Sequence, residues 1–116
     1  MPNRIEVFQL LPPTVITANG TTLETLIDIS RFSKVEIISY TSAISGTNPT
    51  LDVVIRDWEE KNSVNFNWVV LAQITATGSN RHVSATTTRK IYATWTIGGT
   101  ATPTFTFSLT LYGTIS

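Results

Sequence analysis

Tyr40-Thr-Ser-Ala-Ile-Ser-Gly46-Thr-Asn-Pro49-Thr-Leu51-Asp-Val53-Val-Ile55 decides the fold, because the chain uses its pattern twice. The second copy is Tyr92-Ala-Thr-Trp-Thr-Ile-Gly-Gly99-Thr-Ala-Thr-Pro103-Thr-Phe105-Thr-Phe107-Ser-Leu109. Each copy reads strand, Gly/Thr/Pro turn, strand. Glycine supplies the positive φ that a tight turn needs. Proline fixes φ and lacks an N–H, so it belongs just before a strand rather than inside a ladder. Beyond the proline, Leu51, Val53 and Ile55 alternate with other residues, as do Phe105, Phe107, Leu109 and Leu111. Period 2 is the mark of a half-buried strand. The reading predicts two related hairpins, Lys34–Thr41 with Leu51–Asp57 and Arg89–Ile97 with Thr104–Tyr112.

Outward from these copies the remaining strands fall between turn signals. Ile5–Leu10, Thr14–Thr17, Leu23–Asp28, Asn67–Thr75 and His82–Ala85 are predicted strands, with a polar loop over 59–65. Threonine is used heavily, and it favours pleated, half-exposed surfaces. No stretch reads as a helix of useful length. The predicted fold class is all-β: a single-domain antiparallel β-sandwich, jelly-roll-like, of about eight strands with an extended N-terminal arm. Alternation places Val35, Ile37, Leu51, Val53, Ile55, Trp68, Val70, Ile91, Trp95, Phe105, Phe107 and Leu109 in its core.

Pro12-Pro13 divides the chain into an arm, residues 1–13, and a body, residues 14–116. Proline pairs stiffen a chain into an extended form. Two destinations are open for the apolar arm: an ordinary edge strand, or a neighbouring subunit whose sheet edge accepts it. The second assigns Ile5, Val7, Phe8, Leu10 and Leu11 to partner binding.

The 116 residues suffice for one domain and one core. Cysteine is absent, which excludes disulfides, thiolate metal sites and a cysteine nucleophile. Eight basic and eight acidic residues cancel, and they are scattered. Nucleic-acid binding needs a basic face to neutralise phosphates, so no nucleic-acid partner is expected. Low net charge gives little self-repulsion, which suits a protein that works in an assembly. The first thirteen residues lack the continuous apolar core of a signal peptide, and no segment reaches the roughly 18 apolar residues of a membrane helix. A soluble protein with no membrane partner is the expectation.

Chemistry is hard to find. His82 is the single histidine; a zinc site would need further ligands, and a serine triad would need a nucleophile elbow that is missing. Asp52, Asp57, Glu59 and Glu60 are the nearby carboxylates, without an inferable cleft for a glycosidase pair. The expectation is no catalytic residue, no metal site and no cofactor: not an enzyme. Three tryptophans could stack on sugars. Trp68 and Trp95 lie on the buried parity of their strands. Trp58, beside the acidic run Asp57-Trp58-Glu59-Glu60, is the surface candidate, either capping the core edge or meeting a partner.

Three motifs in order carry a family resemblance: Ser45-Gly-Thr-Asn-Pro-Thr-Leu-Asp-Val53, Gln73-Ile-Thr-Ala-Thr-Gly-Ser-Asn-Arg81, and Tyr92 to Phe107 as quoted above. Over residues 20–112 the chain resembles a group of small virion proteins of tailed bacteriophages and prophages. The resemblance implies a structural virion component made in the host cytoplasm, with a place on the head exterior as a capsid decoration (cement) protein. It implies the major capsid protein as partner, and self-association, with a homotrimer as the form that suits a capsid lattice by analogy. It brings no catalytic residues. The longer connection at 57–65 and the 1–13 extension depart from the pattern, so a neck or tail structural protein stays open. A carbohydrate-binding module on a virion fibre is the alternative that an exposed Trp58 would favour.

Overall fold

The computed structural model describes residues 4–22, 26–59, 61–84 and 90–115. Among the described residues the strands are β1 (Arg4–Ile16), β2 (Gly20–Thr21), β3 (Ile27–Asp28), β4 (Lys34–Glu59), β5 (Val64–Val70), β6 (Gly78–Ser84) and β7 (Lys90–Ile115). Among the described residues there is no helix. β4 and β7 are each 26 residues long. Straight, each would span about 85 Å at about 3.3 Å per residue. The largest Cα extent of the molecule is 51 Å. Each long strand must therefore bend, and the two copies of the Gly/Thr/Pro turn lie at the midpoints.

Pairing shows what the bends achieve. Lys34–Ser45 pairs with Thr104–Thr114, while Thr50–Trp58 pairs with Lys90–Gly98. β1 extends the first pair along the second half of β7, and β6 extends it along the first half of β4. β5 flanks the second half of β4, with β2 and β3 on the first half of β7. One layer thus runs β1, β7 (second half), β4 (first half), β6. The other runs β2 and β3, β7 (first half), β4 (second half), β5. These are two four-stranded layers joined by chain crossings, an antiparallel jelly-roll-like sandwich as the alternation predicts.

The hairpins are different from the prediction. Lys34–Thr41 does not pair with Leu51–Asp57, nor Lys90–Ile97 with Thr104–Tyr112. Val35–Thr41 already has β7 on one side and β6 on the other, and Val54–Trp58 has β7 and β5. No edge is left for a leg to meet its own other half. Each turn passes its chain from one layer to the other, and each motif pairs with its repeat. Gly46 (φ 105) abuts Pro103: a Cβ on Gly46 would sit 2.7 Å from the proline Cα. Reciprocally, a Cβ on Gly99 (φ 117) would sit 2.9 Å from the Cα of Pro49. Thr47 pairs with Thr100 between them. The glycine of each copy thus makes room for the proline of the other, an approximately two-fold arrangement.

One cluster of buried side chains fills the space between layers. Leu10, Leu11, Ile16, Val35, Ile37, Phe105, Phe107, Leu109 and Leu111 come from the first layer; Leu51, Val53, Ile55, Val69, Ile91 and Ala93 come from the second. Ile29, Phe32 and Ile74 close it from the connections. Nine of the twelve predicted core residues are buried. Trp68 and Trp95 are half-buried against the cluster, and Val70 is 65% exposed. The reason is a β-bulge: Ile55 faces Val69 and Arg56 faces Asn67, so Trp68 is an extra residue. One inserted residue moves the inward position from Val70 to Val69. Trp95 seals an edge instead. Its Nε1 donates to the Ala18 carbonyl at 3.2 Å, and its ring fills the space above Gly20.

Residues 4–13 do not stand apart as an arm. β1 continues through Pro12-Pro13 and pairs with β7 from Arg4 to Ile16, with register shifts on either side of Leu11. An edge strand tolerates prolines because their missing N–H is not needed on the solvent side. Leu10 and Leu11 are buried in the chain's own core, which removes them from the predicted partner contacts. The predicted strand over 23–28 appears as β3 alone, with 23–25 outside the described residues. β5 and β6 both begin earlier in the chain than predicted.

Candidate partner-binding surface

Strand parity determines what the first layer shows to solvent. Odd positions of β4 from Val35 to Thr41 point inward, so Lys34, Glu36, Ile38 and Tyr40 point out. Register then aligns outward neighbours across the layer. Val7 lies beside Tyr112, Tyr112 beside Glu36, and Glu36 beside Val83. Thr110, Ile38 and Arg81 form the next row, and Ser108, Tyr40 and Ser79 another. Ile5 (61% exposed), Val7, Tyr40 and Val83 are all exposed large apolar residues. Arg81 Nε pairs with Glu36 Oε1 at 3.0 Å within the face. The face is mixed, with exposed apolar side chains standing among polar ones, a composition that suits contact with a partner.

Phe8 belongs to a different structure, a clamp at the end of the sandwich. The Arg31 guanidinium lies 4.5 Å from the Phe32 ring centre and 5.5 Å from that of Phe8. Its Nε and Nη2 donate to the two Glu6 carboxylate oxygens at 3.2 Å each, and Nη1 donates to the Asp28 carbonyl at 2.9 Å. This bidentate bond, with the positive charge behind it, holds the Glu6 carboxyl below its ordinary range. The Asp28 carboxyl is lowered by donation from the Ser30 hydroxyl and N–H. Phe32 in turn lies over Gly113, where a Cβ would meet its ring at 2.6 Å. The clamp fastens the first half of β1 to its own domain.

Of the six residues predicted to bind a partner, Ile5 and Val7 are exposed on the outer face, and Phe8 is half-buried in the clamp. Leu10 and Leu11 are core. Trp58 is half-buried on the outer side of the second layer, between its neighbours Asn65 and Lys90. Tyr40, Val83 and Phe66 were not singled out from the sequence. Tyr40 alone carried a sequence signal, since it falls on the parity opposite to Val35 and Ile37; Val83 and Phe66 become visible only through their strands' places in the layers. Among the described residues no group of three His, Asp or Glu side chains is arranged to hold a metal ion.

Neither a protein family nor a curated protein matches the sequence. Solved structures do match in fold. The chain superposes on a chain of infectious bursal disease virus, Gx strain, with a TM-score of 0.62 and 14% identity, covering 97% of this chain and 32% of that one. It superposes on the VP2 subviral particle of the same virus with a TM-score of 0.54 and 11% identity, again covering 97% and 32%. The chain therefore spans under a third of the viral chains it matches, and the sandwich of two crossed motifs is a fold that also occurs in a virus particle.

Proposed function

We propose that this chain is a non-enzymatic structural protein of a virion, and specifically a decoration (cement) protein on the head of a tailed bacteriophage. The observation that carries the reading is the outer face of the first layer. It presents the exposed side chains of Ile5, Val7, Tyr40 and Val83 on one four-stranded layer, on a body whose fold also occurs in a virus particle. Its partner is the major capsid protein, and Ile5, Val7, Tyr40 and Val83 are the contact residues. Buried area across the joints between shell subunits opposes their separation. Interfaces of about 800 Å² per partner suffice for specific binding, and repetition around a shell multiplies it. Self-association of the chain suits such a lattice.

The test adds purified protein to heads that lack it. Saturable binding and a raised temperature of head disruption are expected, both lost in the Val7→Asp/Tyr40→Asp double variant while its far-UV spectrum stays unchanged. Heads that bind none of the wild-type protein would remove the decoration reading. Binding instead to isolated necks or tails would move the protein there.

A further inference from the structure

Among the described residues the layers of this sandwich have four edges, and three are guarded against pairing with another chain. β1 carries Arg4, Glu6 and the Pro12-Pro13 pair. β6 carries Arg81. β2 and β3 are two residues each. Charges, prolines and shortness are the means by which proteins keep sheet edges from extending. β5 has none of them. Its sequence Val64-Asn-Phe-Asn-Trp-Val-Val70 holds no charge and no proline, and among the described residues it pairs with β4 alone. Phe66 is 57% exposed.

The order of residues on this edge is self-complementary. Val64-Asn65-Phe66-Asn67-Trp68 reads apolar, Asn, Phe, Asn, apolar in either direction. Phe66 faces Asp57, which continues the inward parity of Leu51, Val53 and Ile55. Val64, Phe66 and Trp68 therefore project on the core side. Asn65 and Asn67 project on the outer side, where the Arg56 guanidinium donates to Asn65 Oδ1 at 3.0 Å. A two-fold contact requires that residue i meets j while j meets i.

We propose that β5 pairs antiparallel with β5 of a second copy about a two-fold axis at Phe66. In that register the two Phe66 rings meet, Val64 meets Trp68 of the second copy, and Asn65 meets its Asn67. Apolar and aromatic cross-strand pairs form on one face and amide pairs on the other. The second layers of the two copies join into one eight-stranded sheet. With no charge on the strand, the contact meets no like-charge repulsion. It uses a different surface from the capsid-facing one, so each contact can fail without the other.

Because the chain has no cysteine, one introduced thiol reports the contact. Directly opposed residues in an antiparallel pair have Cα atoms about 4.5–5.5 Å apart, within disulfide range. Phe66→Cys is expected to form a covalent dimer under mild oxidation at least about tenfold faster than Val83→Cys, whose site is a guarded edge. Phe66→Lys places two like charges on the axis and is expected to weaken the dimer, measured by sedimentation, by about tenfold or more. Phe66 is exposed, so its variants should keep the native far-UV spectrum; if Phe66→Lys does not fold, the cysteine comparison alone decides. Equal cross-linking rates at 66 and 83, or a wild-type chain monomeric at about 100 μM, would overturn the proposal.

Discussion

Gly46→Val is expected to destabilise the chain by about 3–5 kcal/mol, and Gly99→Val by a similar amount. Two costs add at each site. Gly46 has φ 105 and Gly99 φ 117, in the region a β-branched residue enters only with strain. The first atom of any side chain would also lie 2.7 Å from Pro103 Cα or 2.9 Å from Pro49 Cα. Those atoms are backbone, so no rotamer change relieves the contact. The bend lies where both layers exchange strands, so local strain disturbs both. Urea unfolding measures the effect. A loss below about 1 kcal/mol in both variants would contradict the reciprocal packing of the two turns.

Phe107→Ala is expected to cost about 3–5 kcal/mol as well, for a different reason. Phe107 is 1% exposed and lies in the second half of β7, paired with Thr14 of β1 and Thr41 of β4. Removing its ring leaves a cavity between two layers whose hydrogen-bonded strands cannot collapse into it. Val70→Ala, in a residue 65% exposed, is expected to change stability by less than about 0.5 kcal/mol. Equal losses in the two variants would show that the inward parity is misassigned.

The contrast between these residues shows what the sequence can carry. Phe105 to Leu111 alternate apolar and polar without interruption, so their faces are readable from period alone, and Leu51, Val53 and Ile55 keep the same parity although Val54 stands between them. The glycines and prolines marked both bends. Turn chemistry, however, states that the chain changes direction and not whether its two legs share a sheet. Only the pairing reveals that each motif lies against its repeat. Val70 was misread because the bulge at Trp68 shifts parity by one residue, and no residue type announces a bulge there. Pro12-Pro13 suggested a boundary, yet prolines are equally at home on a sheet edge, and the burial of Leu10 and Leu11 decides for the edge.

The partner surfaces were the least legible part. Parity separates an outward Tyr40 from an inward Ile37, but which outward residues stand side by side on one face is set by register alone. The same holds for Phe66, whose exposure follows from its place at the end of the second layer. Ile5 and Val7 were identified for their apolar character, and they lie exposed beside Tyr112 and Thr114.

The copy number of this chain in purified particles, measured against the major capsid protein by quantitative mass spectrometry, separates head decoration from any other place on the particle. Decoration of the head predicts a stoichiometry that scales with the number of shell subunits and falls when the outer face is altered by Val7→Asp/Tyr40→Asp. Absence from the particle, or a fixed small number of copies confined to the neck or tail, would contradict it.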